Sequence, residues 1–178
     1  VLRNYSYAEE MQTAVTDLNM IIEDALVLVQ HQFRGEFNIQ IVKQLDESLK
    51  TIVLDHNRIT QVLINLLINA RDAMLPTGGT VEICSWRIPE DHTLAGSNGN
   101  GTHQEAYAFS VRDTGSGIEP ALLDRIFDPF FTTKHSGKGT GLGLFIARRI
   151  VQQHNGRIWA ENNELGGATF TVVLPRKL

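Results

Sequence analysis

Asn65 and Asn69 lie one helical turn apart in a run that is otherwise apolar. At about 100° per residue, Arg58, Gln61, Asn65, Asn69 and Asp72 fall along one narrow stripe of a helix predicted over Asn57 to Met74. Ile59, Val62, Leu63, Leu66, Leu67, Ala70, Ala73 and Met74 cover most of the remaining circumference, so the helix must be buried on several sides. An unpaired buried amide costs roughly 1–3 kcal/mol, so both side chains need partners: a ligand, a metal, water or nearby backbone groups. The Asn carbonyl oxygen is a hard, neutral ligand suited to a Mg²⁺ ion already shared with phosphates and water. Asn69 or Asn65 is therefore a candidate metal ligand.

Two further segments carry chemistry. Asp113-Thr114-Gly115-Ser116-Gly117 ends a predicted strand, where a carboxylate can accept a hydrogen bond from an exocyclic amine and glycines let backbone approach a flat ring. Taken alone, the pentapeptide reads equally as an Asp and Gly turn. Gly137-Lys138-Gly139-Thr140-Gly141-Leu142-Gly143-Leu144 runs directly into an amphipathic helix, whose first N–H groups form an anion site that glycines leave open to phosphate. It is neither a P-loop nor a dinucleotide fingerprint, since the required glycine and lysine spacings are absent. The polar stretch before it, with Thr132, Thr133, Lys134, His135 and Ser136, suits a lid over phosphates. Lys134 or Lys138 would neutralise a terminal phosphate or simply face solvent. Phe127, Phe130 and Phe131 read either as core or as a contact for a partner helix.

The elements that must position these groups follow from period and punctuation. Residues 1 to 16 are polar and helix-compatible, a lead-in or the tail of an upstream helix. Asp17 caps a helix over Leu18 to Phe33, with Ile21, Ile22, Ala25, Leu26 and Val29 as its apolar stripe, and Gly35 ends it. Phe37, Ile39 and Ile41 alternate as a strand, and Thr51 to Leu54 form a second short one. The helix carrying the asparagines stops at Pro76 and Gly78-Gly79. Thr80 to Arg87 and Ala106 to Arg112 alternate as paired strands, joined through the Gly-, Asn- and Ser-rich Ala95 to Thr102. A short helix over Glu119 to Phe127, a helix over Gly141 to His154, and strands over Arg157 to Glu161 and Thr169 to Leu174 complete the chain. Helices interleaved with mostly hairpin-linked strands predict a two-layer α/β sandwich with a mixed sheet.

Composition bounds the function. At 178 residues there is room for one domain with a real core. The net charge of −4, with no basic cluster, argues against a nucleic-acid partner. A single cysteine, Cys84, lies in an apolar alternating stretch, which fits a small core residue and a reducing, cytoplasmic compartment. The most apolar segment, Val62 to Ala70, is interrupted by Asn65 and Asn69, so no direct membrane contact is expected. The six histidines show no metal-ligand spacing.

Taken in order, Asn65-Leu66-Leu67-Ile68-Asn69-Ala70, Asp113 to Gly117, Phe127 to Phe131 and Gly137 to Gly143 resemble the N, G1, F and G2 boxes of the histidine kinase catalytic domain. Gly166-Gly167-Ala168-Thr169-Phe170 resembles its G3 element. The resemblance covers about residues 17 to 176, and its Phe-Phe-Thr-Thr-Lys and Asn-Ala-Arg-Asp-Ala runs are similar to the nitrogen-regulation type of sensor kinase. It implies the Bergerat fold, shared with gyrase, mismatch-repair and heat-shock chaperone ATPases, a mixed sheet with helices on one face. Residues 17 to 178 would be the ATP-binding catalytic domain.

By that resemblance Asp113 would hold the adenine amine, Asn69 the Mg²⁺ ion, and the Gly139, Gly141 and Leu142 amides the phosphates of ATP. The same likeness brings Asp72, Gly115, Gly117, Ile118, Phe127, Lys138, Thr140, Gly143 and Thr169 into the nucleotide site. Asn65 falls where ATPase relatives carry a catalytic glutamate, which favours transfer to a protein acceptor over hydrolysis and makes Asn65 and Lys134 the candidate catalytic pair. Many sensor kinases carry Lys near Asp72; here Arg71 or Lys134 stands in for that basic contact. No histidine has the acidic and proline neighbours of a phosphoacceptor, so the acceptor is expected on a dimerisation hairpin outside this sequence, with a cognate response regulator further on. The alternatives are a serine kinase of the anti-sigma or dehydrogenase-kinase type, or a non-catalytic nucleotide-gated module.

Overall fold

The computed structural model describes residues 11–33, 38–90, 105–133 and 139–176. Gly35, Phe37, Ala95 to Thr102, and Lys134 to Lys138 lie outside them. Strand β1 (Ala14–Thr16) leads into helix α1 (Leu18–Phe33) and strand β2 (Ile39–Leu45). Strand β3 (Ile52–Leu54) and helix α2 (His56–Ala73) follow, then strands β4 (Gly79–Ile88) and β5 (Ala106–Asp113). Helix α3 (Gly143–Gln153) and strands β6 (Arg157–Asn162) and β7 (Ala168–Pro175) close the fold.

Local chemistry sets the helix starts. The Asp17 carboxylate accepts the Asn19 N–H at 2.8 Å, satisfying one of the four N–H groups that an α-helix leaves without partners. Asp55, in extended backbone at φ −82° and ψ 103°, accepts the Arg58 N–H at 3.2 Å and so caps α2. The reading of residues 1 to 16 as helix-compatible does not hold for Ala14–Thr16, which pairs antiparallel with β3, Ala14 opposite Leu54. Three residues of ordinary strand propensity gave no period to detect; their partner is forty residues away in sequence and supplies the ladder.

The sheet runs β2-β4-β5-β7-β6, with β2 parallel to β4 and every other pairing antiparallel. Side chains alternate across it, and register decides what they meet. Tyr107, Phe109 and Val111 of β5 stand opposite Leu174, Val172 and Phe170 of β7, and all six belong to the main core under the helices. On the other face Ile88, Ala106, Ala108 and Val173 form a small second cluster with Trp86 against it. The two-layer mixed sheet with helices on one face is thus as the sequence predicts. β5 departs from a half-buried alternation, since every residue but Arg112 is buried.

α2 packs between α1 and α3 and against β4 and β5. Its Ile59, Val62, Leu63, Leu66 and Leu67 are fully buried, which explains the apolar surround of the asparagine stripe. Glu119 to Phe127 is not a regular helix: Pro120–Leu122 form one 3₁₀ turn, followed by turns through Leu123 to Phe127. So short a segment cannot repay helix nucleation, and Ile126 and Phe127 anchor it to the core at 8% and 7% exposure instead.

Truncating the wedge between α1 and α3 should be felt at once. Leu66→Ala is expected to cost about 2–5 kcal/mol in urea unfolding. Gln61→Ala, at an exposed position of the same helix, should stay within about 0.5 kcal/mol. Equal midpoints for the two variants would overturn this account of α2.

Candidate functional site

Asp113 ends β5 at 1% exposure, and its surroundings are built to hold it. Oδ1 accepts the Gly115 N–H at 2.8 Å and the Ala168 N–H at 3.3 Å. The Asp113 carbonyl accepts from the Asn163 side-chain amide at 2.9 Å. A Cβ on Gly167 would sit 2.0 Å from that same carbonyl oxygen, so only glycine fits there. Among the described residues none donates to Oδ2, and Asp113 lines a cleft. Burial pushes the carboxyl above its ordinary range, and the Gly115 and Ala168 N–H groups hold it part of the way back.

The cleft has a volume of about 680 Å³, within the range of small-molecule sites. α2 contributes Asn65, Asn69, Arg71 and Asp72 to its wall. The loop after β5 contributes Gly117 and Ile118, and the segments flanking residues 134–138 contribute Phe131, Thr132, Thr133, Gly139, Thr140 and Gly141. Gly143 and Leu144 of α3, and Ala168 and Phe170 of β7, complete it. That loop is tied to both sides: the Ser116 N–H donates to the Ala73 carbonyl at 3.1 Å. Asn162 grips Ile118 twice, accepting its N–H at 2.7 Å and donating to its carbonyl at 2.6 Å.

α3 presents its start to the cleft. It begins at Gly143, two residues later than periodicity predicts, because Gly141 takes φ +66° and lies against the Phe130 backbone. Leu142 at the cap position offers no side-chain acceptor, and the first turn holds no acidic residue. Among the described residues the N–H groups of this turn therefore have neither a side-chain cap nor an acidic neighbour within the turn, the combination that receives phosphate. The Asn65 amide donates to the Gly143 carbonyl at 3.0 Å, so its side chain ties α2 to this turn.

The remaining expected residues divide. Gly115 packs on the Ala73 carbonyl, and Leu142 donates its N–H to Thr140 Oγ1 at 3.3 Å; neither is on the cleft wall. Phe127 is also off the wall, buried edge-on against Phe170 with ring centroids 6.4 Å apart. Thr169 alternates to the opposite sheet face, with its hydroxyl 3.4 Å from the Asn163 amide, while its neighbours Ala168 and Phe170 face the cleft. The aromatic cluster thus splits: Phe127 is core, Phe131 lines the cleft under Arg125 at 5.1 Å, and Phe130 stands 74% exposed. Lys134 and Lys138 lie outside the described residues. Arg71 does reach the cleft, held by Asp72 Oδ1 at 2.6 and 2.9 Å and by Gln32.

Asn162 and Asn163 were missed from sequence. Their signal was an amide pair at a strand end before Gly166-Gly167, which reads as turn chemistry and says nothing of reaching back to Ile118 and Asp113. Among the described residues no three His, Cys, Asp or Glu side chains cluster as a metal site. Asn69 on the wall supplies a neutral oxygen, a donor set that fits a hard cation whose other ligands are phosphate and water.

The raised Asp113 pKa means that the folded chain binds this proton more tightly than the unfolded chain, whose reference value is 3.8. Its contribution to stability is therefore lost as pH rises through the raised value. Asp113→Asn keeps an acceptor for Gly115 and Ala168 but carries no charge. It should raise the melting temperature at neutral pH and lose that advantage below about pH 3.5; thermal melts at the two pH values check this, and a lower melting temperature at neutral pH would refute it.

Residues 54–178 match the family model described as histidine kinase-, DNA gyrase B-, and HSP90-like ATPase. The chain is 36% identical over 174 residues to the signal transduction histidine-protein kinase AtoS of Escherichia coli (strain K12), covering 98% of the chain and 26% of that protein. Against the sensor protein FixL of Bradyrhizobium diazoefficiens it is 35% identical over 174 residues, covering 98% of the chain and 31% of that protein. It thus spans about a quarter to a third of those relatives. The catalytic domain of histidine kinase ThkA superposes with a TM-score of 0.74 at 34% identity, over 93% of this chain and 99% of that one. ThkA in complex with response regulator protein TrrA gives a TM-score of 0.69 at 30% identity, over 93% of this chain and 42% of that one. With an open carboxylate, an uncapped helix start and an amide-bearing helix sharing one cleft, the chain belongs to the histidine kinase-, DNA gyrase B- and HSP90-like ATPase family, among its histidine kinase catalytic domains.

Proposed function

We propose that this chain binds ATP and Mg²⁺ in the cleft between α2 and α3 and transfers the γ-phosphoryl group to a histidine on a dimerisation and phosphoacceptor helical hairpin outside residues 1–178. A cognate response regulator would then take the group, as the complex of ThkA with TrrA encourages. The observation that carries the reading is the pairing of the Asp113 Oδ2, to which none of the described residues donates, with the start of α3, which has no side-chain cap, on the same cleft. An adenine amine donates to the first, and phosphate oxygens accept from the second.

In this reading Gly117 and Ile118 lie along the base, positioned by Asn162. Gly139, Thr140, Gly141 and Gly143 surround the phosphates. Mg²⁺ bound beside Asn69 would neutralise charge on the phosphates. Asn65 acts through Gly143, holding the phosphate-facing turn rather than activating water. That role suits transfer to a protein acceptor, since the cleft offers no carboxylate at this position to serve as a base for hydrolysis. Lys134 and Lys138 remain proposed phosphate contacts beside Arg71, and Gly115, Leu142, Phe127 and Thr169 shape the site from behind its wall. Phe130, exposed beside the cleft, offers an apolar contact to the incoming hairpin. Within the sensor kinases, the Asn-Ala-Arg-Asp-Ala run at residues 69–73 favours the nitrogen-regulation type.

Supplying the helical hairpin in trans with γ-labelled ATP should give a label on the hairpin that acid removes and base does not. Acid-stable label, or free phosphate alone, would overturn the assignment. Asp113→Asn should weaken ATP binding by at least about tenfold, the loss of one hydrogen bond to a charged group, and calorimetry that records native affinity would remove adenine from Asp113.

A further inference from the structure

His154 follows the last turn of α3 and is 6% exposed, and the nucleotide chemistry makes no use of it. Its Nδ1 lies 2.8 Å from the Ile150 carbonyl, which only accepts, so Nδ1 carries the proton. Its Nε2 accepts the Asp55 backbone N–H at 3.0 Å. One neutral tautomer satisfies both contacts, and neither Phe nor Lys in the same space would.

The Asp55 end of this bond is itself held. The carboxylate that caps α2 at Arg58 also accepts the Gln12 N–H at 2.9 Å. The peptide group that meets His154 thus sits at a fixed point on the α2 axis. At the other end of the same helix pair, Asn65 donates to the Gly143 carbonyl at 3.0 Å. Between these two points α2 advances ten residues and α3 eleven. The rises of about 15 and 16.5 Å match to within one residue. The two helices therefore run antiparallel with a polar bond at each end and only small or aliphatic side chains, among them Ala147, Ile150 and Val151, buried along α3 between them. Apolar contacts of that kind are not directional and would let α3 slide or tilt along α2; two hydrogen bonds about 15 Å apart do not.

We propose that His154 is a positioning residue for nucleotide turnover: its bond to the Asp55 N–H, paired with Asn65 at the far end, sets the axial register of α3 against α2. The first turn of α3 is thereby held against the Asn69 face of α2, so that phosphate-binding N–H groups and a cation ligand converge on one triphosphate. Asp113 stands on β5 and takes no part in this register. The inference rests on the proposed nucleotide site and says which of its contacts depend on the remote histidine.

Two substitutions separate the ring nitrogens. His154→Asn keeps a donor near the Nδ1 position but is too short to reach the Asp55 N–H, whereas His154→Gln places an acceptor near Nε2. Calorimetry on the chain would compare adenosine with a non-hydrolysable ATP analogue plus Mg²⁺. His154→Asn should weaken the Mg²⁺-triphosphate analogue about five- to tenfold, the worth of one hydrogen bond, leave adenosine within about twofold, and be restored by His154→Gln to within about twofold. Native affinity for the analogue in His154→Asn, or an equal loss for both ligands, overturns the proposal. Should that variant fail to fold, the Asp55 backbone amide resonance of the unaltered chain decides: it should shift with the Mg²⁺-triphosphate analogue and stay with adenosine, and a stationary signal overturns the proposal. If the unaltered chain binds neither ligand, it is the nucleotide assignment that fails.

Discussion

A carboxylate held out of water at the end of a buried strand is the constraint around which this molecule is arranged. Burying Asp113 without partners would cost several kcal/mol, so the fold surrounds one oxygen with backbone donors, while among the described residues none donates to the other. Each neighbour is then constrained in turn. Gly167 must lack a side chain to let β7 approach, and Asn163 must reach back to the Asp113 carbonyl. Gly115 must pack on the end of α2. The β5–β7 register, with Arg112 opposite Thr169, delivers the Ala168 N–H to the carboxylate.

The second arrangement is electrostatic and solves the problem of an acidic chain receiving a polyanion. With a net charge of −4 the molecule as a whole offers no attraction to phosphate. In the proposed nucleotide site the attraction would be local, from helix-start N–H groups with no acidic residue in the first turn and no side-chain cap. Arg71 stands on the same wall, its charge balanced by Asp72, and the cation implied beside Asn69 would arrive with the nucleotide. Neutral amides at Asn65 and Asn69 suit such a site, since carboxylates there would repel the ligand they help to hold. Because the attraction depends on where one helix begins, the placement of α3 against α2 carries function, and its two polar end contacts carry that placement.

Much of this was legible in the residues. The α2 stripe, the caps at Asp17 and the stop at Gly78-Gly79 are local codes, read within one or two turns of chain, and the structure places those elements within a residue or two of where they are expected. Asp113, Gly117, Ile118, Gly139, Thr140, Gly141 and Gly143 line one cleft with Asn65, Asn69 and Asp72, residues that the motifs single out. The strand at Ala14–Thr16 and the missing helix over Glu119 to Phe127 went the other way, because pairing at long range and anchoring by two core side chains override weak local preference. Thr169 and Phe127 belong to motifs that touch the site, yet alternation and packing turn both away from its wall.

What the amino-acid order determines alone is whatever depends on period, capping and composition: which segments are helices, which side of α2 is polar, that a glycine-lined helix start follows a polar stretch, and that the chain is acidic. Only the assembled fold decides which oxygen of Asp113 takes the Gly115 and Ala168 N–H groups, that Asn162 and Asn163 serve the loops around it, and that His154 meets Asp55 across 99 residues of chain. Those are relations between distant segments. They depend on strand register and helix contact, and a hydrogen bond that exists only when two elements stop at matching heights leaves no periodic trace in either one.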